Sequence, residues 1–362
     1  MSVRCGSVLL CLPFLWTLGA AQEDTPDSLR NKDAKLIVIP VIAYTPETKL
    51  VLGAAGFYYF NTSDLSPLTS AARLLGAYTT RQQYKAQLNS DVYLNDGRDK
   101  VTFEVSFTKF VDSFWGIGPA TPESAEEHYT TRRTILFVRP QTTVAQNLQA
   151  GLLFDFEQQT IVETDAGSSL SSGLIAGSGG GTFSGIGVVL NYDSRDQVFS
   201  PTAGNYTELI WTEFPRFLGS DFKFSSVVVD SRLFLPVAEA SVTALQMYGR
   251  FTGGNVPFQR LSALGGPNRM RGLFEGRFRD RHMLEVQAEY RFPLFGRFGA
   301  AAFIAAGDVA PAVGKFSLRS IKFAGGFGGR YAINKDDKVN LRLDIAIAKD
   351  AVNTYFTIEE AF

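Results

Sequence analysis

Period-two alternation is the feature that most limits what this chain can fold into. Between Leu284 and Phe292, the side chains of Leu284, Val286, Ala288, Tyr290 and Phe292 share one face of an extended strand, while Glu285, Gln287, Glu289 and Arg291 share the other. A strand that is apolar on one side and charged on the other suits a wall between lipid and water. The pattern recurs at Tyr84–Leu88, Val101–Phe107, Ile186–Tyr192 and Leu341–Ile347. Roughly sixteen such segments of about ten residues can be marked, starting near residues 36, 50, 70, 83, 99, 130, 146, 182, 204, 222, 241, 282, 298, 320, 338 and 353. An even count fits a closed antiparallel barrel with both ends of the chain on one side of a bacterial outer membrane. The expected fold is therefore all-β, a transmembrane antiparallel 16-stranded β-barrel over residues 35–362.

Connection lengths agree with that fold. The long connections, about 111–129, 161–181 and 256–281, all fall on the external side, and residues 167–181 are rich in Gly and Ser. Periplasmic turns such as Asn95-Asp96-Gly97 and Asn334-Lys335-Asp336-Asp337 are short and carry turn-forming residues, although 61–69 is long for such a turn. The chain has 30 Phe, 13 Tyr and 34 Gly, and beyond its N-terminus no run is long and apolar enough for a membrane helix. Its formal charge of −1 does not point to nucleic acid. A soluble β-sandwich also alternates, but its outer faces are mixed and polar. Here small and charged residues recur on the face opposite the apolar one.

The N-terminus has the form of an export signal. Met1-Ser2-Val3-Arg4 is basic, an apolar run follows to about Leu18, and Gly19-Ala20-Ala21 precedes the polar Gln22-Glu23-Asp24. Residues 1–21 are read as a signal peptide, with cleavage after Ala21 or Ala20, and 22–34 as a short periplasmic segment; a membrane anchor needs a longer apolar run. Both cysteines, Cys5 and Cys11, lie in that signal, so the mature chain offers no disulfide and no thiolate metal site. The only histidines, His128 and His282, are far apart in sequence, and Ala176-Gly177-Ser178-Gly179-Gly180 lacks the strand-to-helix context of a nucleophile elbow. No enzyme, no cofactor and no metal are expected. Lumenal carboxylates such as Glu104, Glu285 and Glu289 read as solvated lining.

An arginine-crowded loop precedes the strand at 284–292. Leu264 to Arg281 holds Arg269, Arg271, Arg277, Arg279 and Arg281. This stretch resembles the sixth external loop and following strand of the BamA/TamA superfamily, also called bacterial surface antigens. The family's Arg-Gly-aromatic tip appears as Arg271-Gly272-Leu273, with Leu273 in the aromatic's place and Phe274 next. Glu275–Asp280 and Glu289-Tyr290-Arg291-Phe292 also match. Tyr192-Asp193-Ser194-Arg195-Asp196, with Pro201 and Gly204, resembles the family's Asp-x-Arg-Asp turn; Gly326-Phe327-Gly328-Gly329-Arg330 its Gly-x-Gly-x-Arg strand; and Asn340-Leu341-Arg342-Leu343-Asp344 its penultimate strand. The N-terminal half matches in strand pattern, with Tyr44–Thr48 as a modest addition.

The resemblance implies a sixth loop folded back into the lumen and locked by Arg271. The family's thirteenth strand reads Phe-x-Asp-x-Gly, and its acid pairs with the loop arginine; here the run is Phe303-Ile304-Ala305-Ala306-Gly307, and Ala305 stands in the acid's place. Asp308 has the opposite strand parity. A buried guanidinium needs a carboxylate. The same-face acids Asp344, Glu285 and Glu289 are the candidates, Asp344 first; otherwise Arg271 is exposed to lipid phosphates or water. Pro40 in the first strand removes a ladder donor, so the seam between the first strand and the last, 353–362 with its terminal Phe362, is expected to be weak. Tyr355, Phe356, Ile358 and Phe362 resemble the C-terminal signal read by outer-membrane assembly machinery. Only about 13 residues separate Gln22 from the first strand, too few for the family's periplasmic POTRA domains. The implied function is assistance with membrane-protein insertion, or passage of polypeptide or lipid, in the bacterial outer membrane. Implied partners are outer-membrane lipids including lipopolysaccharide, the assembly machinery, and a periplasmic or client polypeptide. The alternative is a passive pore or structural barrel.

Overall fold

The computed structural model describes residues 34–45, 49–63, 68–334, 339–349 and 351–362. The expected signal peptide, residues 22–33 of the segment after it, and the turn at 335–337 lie outside them. Sixteen strands form one sheet in simple sequence order. They are β1 (Lys35–Thr45), β2 (Lys49–Phe60), β3 (Ser70–Thr79), β4 (Tyr84–Leu94), β5 (Asp99–Phe114), β6 (Glu127–Ala145), β7 (Leu148–Thr164) and β8 (Gly180–Asp193). The second half comprises β9 (Gly204–Phe214), β10 (Phe224–Ala238), β11 (Ser241–Gly254), β12 (His282–Phe295), β13 (Phe298–Ala310), β14 (Lys322–Asn334), β15 (Val339–Ala348) and β16 (Ala351–Ile358). Every start expected from alternation lies within three residues of an observed one. All neighbouring pairs are antiparallel.

Burial is inverted relative to a water-soluble protein. In β12, Leu284, Val286 and Tyr290 are exposed, whereas Glu285, Gln287, Glu289 and Arg291 are buried. The same holds around the wall: Leu152, Ile186, Val188, Leu209, Trp211 and Ile304 point out, and Glu157, Glu208, Asp230 and Arg330 point in. A contiguous apolar exterior of this extent is unfavourable in water and favourable in hydrocarbon. No helix among the described residues is long and apolar enough to cross a membrane.

The two ends of the barrel are covered differently. β5 and β6 run past their expected limits, so the long connection shortens to 115–126. The physical reason is an apolar cluster at this loop end. There Phe114 and Tyr129, on the extended parts of β5 and β6, pack with Phe183, Phe214, Phe224 and Phe258, and Phe258 meets both edge-on. The loop between β11 and β12 carries its own two-residue ladder, Ser262–Ala263 with Arg279–Asp280. At the turn end, the Asp193-Ser194-Arg195-Asp196 motif builds the β8–β9 connection. Arg195 clamps Asp193 at 2.7 Å and lies over the Tyr206 ring. Asp196 accepts from the amides of Thr202 and Ala203 and from the Thr202 hydroxyl. Gly204 has φ of +101°, and a Cβ there would sit 2.2 Å from the Ser194 carbonyl oxygen, so only glycine closes this turn.

The described ladders join each strand to the next, from β1 to β16. Across the seam between β1 and β16 the described contacts are made by side chains. Ile37 and Ile39 of β1 pack in one cluster with Tyr59, Phe199, Val339 and Ile358. Glu359, just after β16, accepts from Arg73 at 2.8 and 3.0 Å and from the Tyr59 hydroxyl at 3.1 Å. Pro40 is exposed on the outer face and pairs in register with Ala54 of β2.

Candidate functional site

The loop 255–281 turns inward, and its tip lies against the inner faces of β12, β13, β15 and β16. Arg271 is fully enclosed. It donates to Asp344 at 2.6 Å through Nη1 and to Glu289 at 2.6 Å through Nη2. Its guanidinium lies 3.5 Å from the centroid of the Phe303 ring. Paired carboxylates plus an aromatic face satisfy a guanidinium that is 1% exposed. Two of the three expected acids, Asp344 and Glu289, thus hold Arg271.

Glu285 is a correction: it pairs with Arg269 at 3.3 Å instead. Glu285 and Glu289 are four residues apart on β12, about 13 Å along the strand, too far for one guanidinium to bridge. The tip runs beside β12 so that Arg269 meets the first acid and Arg271 the second. Arg269 also stacks on Tyr248. Asp308 does not serve Arg271: it pairs with Lys322 at 2.9 Å and accepts from the Ser320 hydroxyl.

The glycines of the Gly-x-Gly-x-Arg strand make room for this lock. A Cβ on Gly328 would lie 2.0 Å from an Asp344 oxygen, and one on Gly326 would lie 2.8 Å from the Phe303 ring. Arg330, on the same face, donates to Asp344 at 2.6 Å and to Glu360 at 2.8 Å. Arg342 stands directly across from Arg330 in register. It reaches the loop instead, donating to Asn268 and to the Pro267 carbonyl. Gly272 has φ of +111° and lies against the β15 backbone at Ile347. Its amide donates to the Tyr355 hydroxyl, and its carbonyl accepts from Asn353. The last strand therefore grips the loop tip by its backbone.

Leu273 and Ala305, the two departures from the family pattern, fall in one apolar cluster with Leu264, Met270, Met283, Val309 and Ala348. An acid at position 305 would be placed in that cluster. The missing carboxylate and the aliphatic residue at the tip are therefore consistent with each other. The outer part of the loop is held by Arg277 on Thr121 and by Arg279, whose carbonyl accepts from Gly118.

Phe362 is the second correction. It is not on the seam: the chain turns at Glu359 (φ +71°), and Phe362 packs inside the barrel with Phe234, Val242 and Ala244. Arg291 donates to its main-chain oxygen at 2.8 Å and to Glu289 at 2.6 Å. Glu360 also lies inside, accepting from Arg330 and Asn340. Sequence reading missed Arg291 and Glu360 as members of the network. The signal was available, because Arg269, Arg271, Arg291, Arg330 and Arg342 outnumber the three lumenal acids of the motif strands, Glu285, Glu289 and Asp344, so a further carboxylate was needed. Among the described residues no group of three or more His, Cys, Asp or Glu is placed to hold a metal.

Comparison with known proteins places this geometry. The Omp85 superfamily domain matches residues 70–351. No curated protein sequence matches the chain. BamA from Haemophilus ducreyi lacking POTRA domains 1–3 is similar over 91% of this chain and 70% of that one, at 12% identity and a TM-score of 0.60. CdiB from Escherichia coli is similar over 92% of this chain at 12% identity and a TM-score of 0.60. CdiB from Acinetobacter baumannii is similar over 91% at 11% identity and a TM-score of 0.56. The chain spans 63% and 60% of those two CdiB chains. At such identities the solved structures speak for the barrel fold alone. The family match, covering most of the chain, supplies the rest: this chain belongs to the Omp85 superfamily.

Proposed function

We propose that this chain is an outer-membrane barrel that assists insertion of membrane proteins, or passage of polypeptide or lipid, with a separate periplasmic partner handling the client. One observation carries the reading: β16 is shared by the lock and the seam. Asn353 and Tyr355 hold the loop tip at Gly272, while the chain just beyond the same strand meets β2 and β3 through Glu359. A wall whose edge strands meet through side chains can part at lower cost than a continuous hydrogen-bonded ladder. The apolar belt fits outer-membrane lipid, including lipopolysaccharide, and insertion by the assembly machinery. The turn end then faces the periplasm.

The test is folding of a urea-denatured outer-membrane barrel client into vesicles that contain the purified protein. Acceleration over empty vesicles, abolished by a disulfide engineered between β1 and β16, supports the reading. No acceleration, with or without periplasmic extract, overturns it. A passive pore is the second reading, favoured by the polar lumen and by a cavity of about 470 Å3 at the turn end. It predicts a stable conductance that the same disulfide leaves unchanged.

A further inference from the structure

We infer that the inner wall at the turn end is a binding site for an extended peptide carrying an acidic residue two positions before an aromatic one, and that Glu360–Phe362 occupies it in cis. The contacts describe a built site. The Glu360 carboxylate is gripped from both sides, by Arg330 at 2.8 Å and by Asn340 at 2.8 Å. Two residues on, Phe362 is 5% exposed in a cage of Phe234, Val242 and Ala244. Arg291 donates to its main-chain oxygen at 2.8 Å, and its guanidinium sits 5.5 Å from the ring centroid. Acid, spacer and aromatic each meet a complementary surface, and the two guanidiniums that read them are buried.

Three features make the occupant exchangeable. The β15–β16 ladder ends at Ile358, and beyond it one backbone hydrogen bond, from the Glu359 amide to Asn340, ties the segment to the wall. Glu359 is a non-glycine residue at φ +71°, a conformation that side-chain contacts must hold in place. The site also opens directly onto the turn-end cavity, whose lining includes Val242, Arg291, Asn340, Arg330 and Glu360. None of this requires transport: a passive barrel of this structure binds the same ligand.

The test uses the full-length protein in detergent and a fluorescein-labelled hexapeptide with the sequence of residues 357–362. Phe362→Ala vacates the cage and is expected to bind the peptide at least tenfold more tightly than the unaltered protein. Replacing the peptide's aromatic by alanine, or both its acids by glutamine, is expected to weaken binding at least tenfold. Equal binding by both proteins, no binding, or binding indifferent to the aromatic overturns the assignment. Competition by inorganic phosphate or anionic lipid as strong as by the peptide also overturns it, because the site is then only an anion site. Should Phe362→Ala fail to yield a heat-modifiable barrel, Phe362→Trp carries the test. Unlabelled peptide must then shift its emission to the red relative to the protein without that tryptophan, and no shift at saturating peptide excludes displacement.

Discussion

Arg271 shows what one residue contributes to this barrel and what its sequence context revealed. Strand parity alone put Asp344 and Glu289 on its side of the wall, and both hold it at 2.6 Å. The choice among same-face acids was not legible, because it depends on how far the tip reaches along β12, which only the folded loop sets. Replacing Arg271 by alanine leaves two buried carboxylates short of a cation, and removing one partner of a buried pair costs about 3–5 kcal/mol. The expected result is loss of the compact, heat-modifiable band at a temperature well below that of the unaltered protein. Arg271→Lys is expected to recover only part of the loss, since one ammonium does not reproduce two parallel donors and a stacked plane. Gly328→Ala forces the Asp344–Arg330 pair apart and is expected to cost about 1–3 kcal/mol, read in the same melting assay. Equal melting of all four proteins would show that the lock contributes nothing to stability.

At the scale of elements, alternation located every strand start because lipid and lumen impose opposite chemistry on successive residues. It did not locate the outer ends of β5 and β6, where the lipid constraint stops and the cluster around Phe258 takes over. It also misplaced the last residues. Phe362 keeps the look of a lipid-facing terminus, but the turn at Glu359 carries it inside, and no periodicity encodes a single left-handed residue. Pro40 led the sequence reading to expect a weak seam; in the fold that side chain faces outward, and the described polar contacts across the seam come from Glu359, Arg73 and Tyr59. Glu359→Ala removes those bridges. Amide hydrogen exchange in β1 and β16 is expected to rise about tenfold while β7 and β8 stay unchanged, a factor that corresponds to about 1.4 kcal/mol of local opening. If β1 exchanges as slowly as β7 in the unaltered protein, the seam is not a weak point.

The whole molecule is an inside-out barrel whose fold was legible from one two-faced strand repeated around a wall. Its activity was not, because which lumenal side chains meet is set only in three dimensions, where the loop tip comes to lie between Glu289 and Asp344. The loop tip, fixed by Arg271 between Asp344 and Glu289, is expected to close the lumen next to the seam. Single-channel conductance in a planar bilayer tests it most directly. A low, intermittently open baseline is predicted for the unaltered protein, with conductance rising several-fold in Arg271→Ala molecules that still form the folded barrel. A large, steady conductance in the unaltered protein, unchanged by Arg271→Ala, would contradict the account.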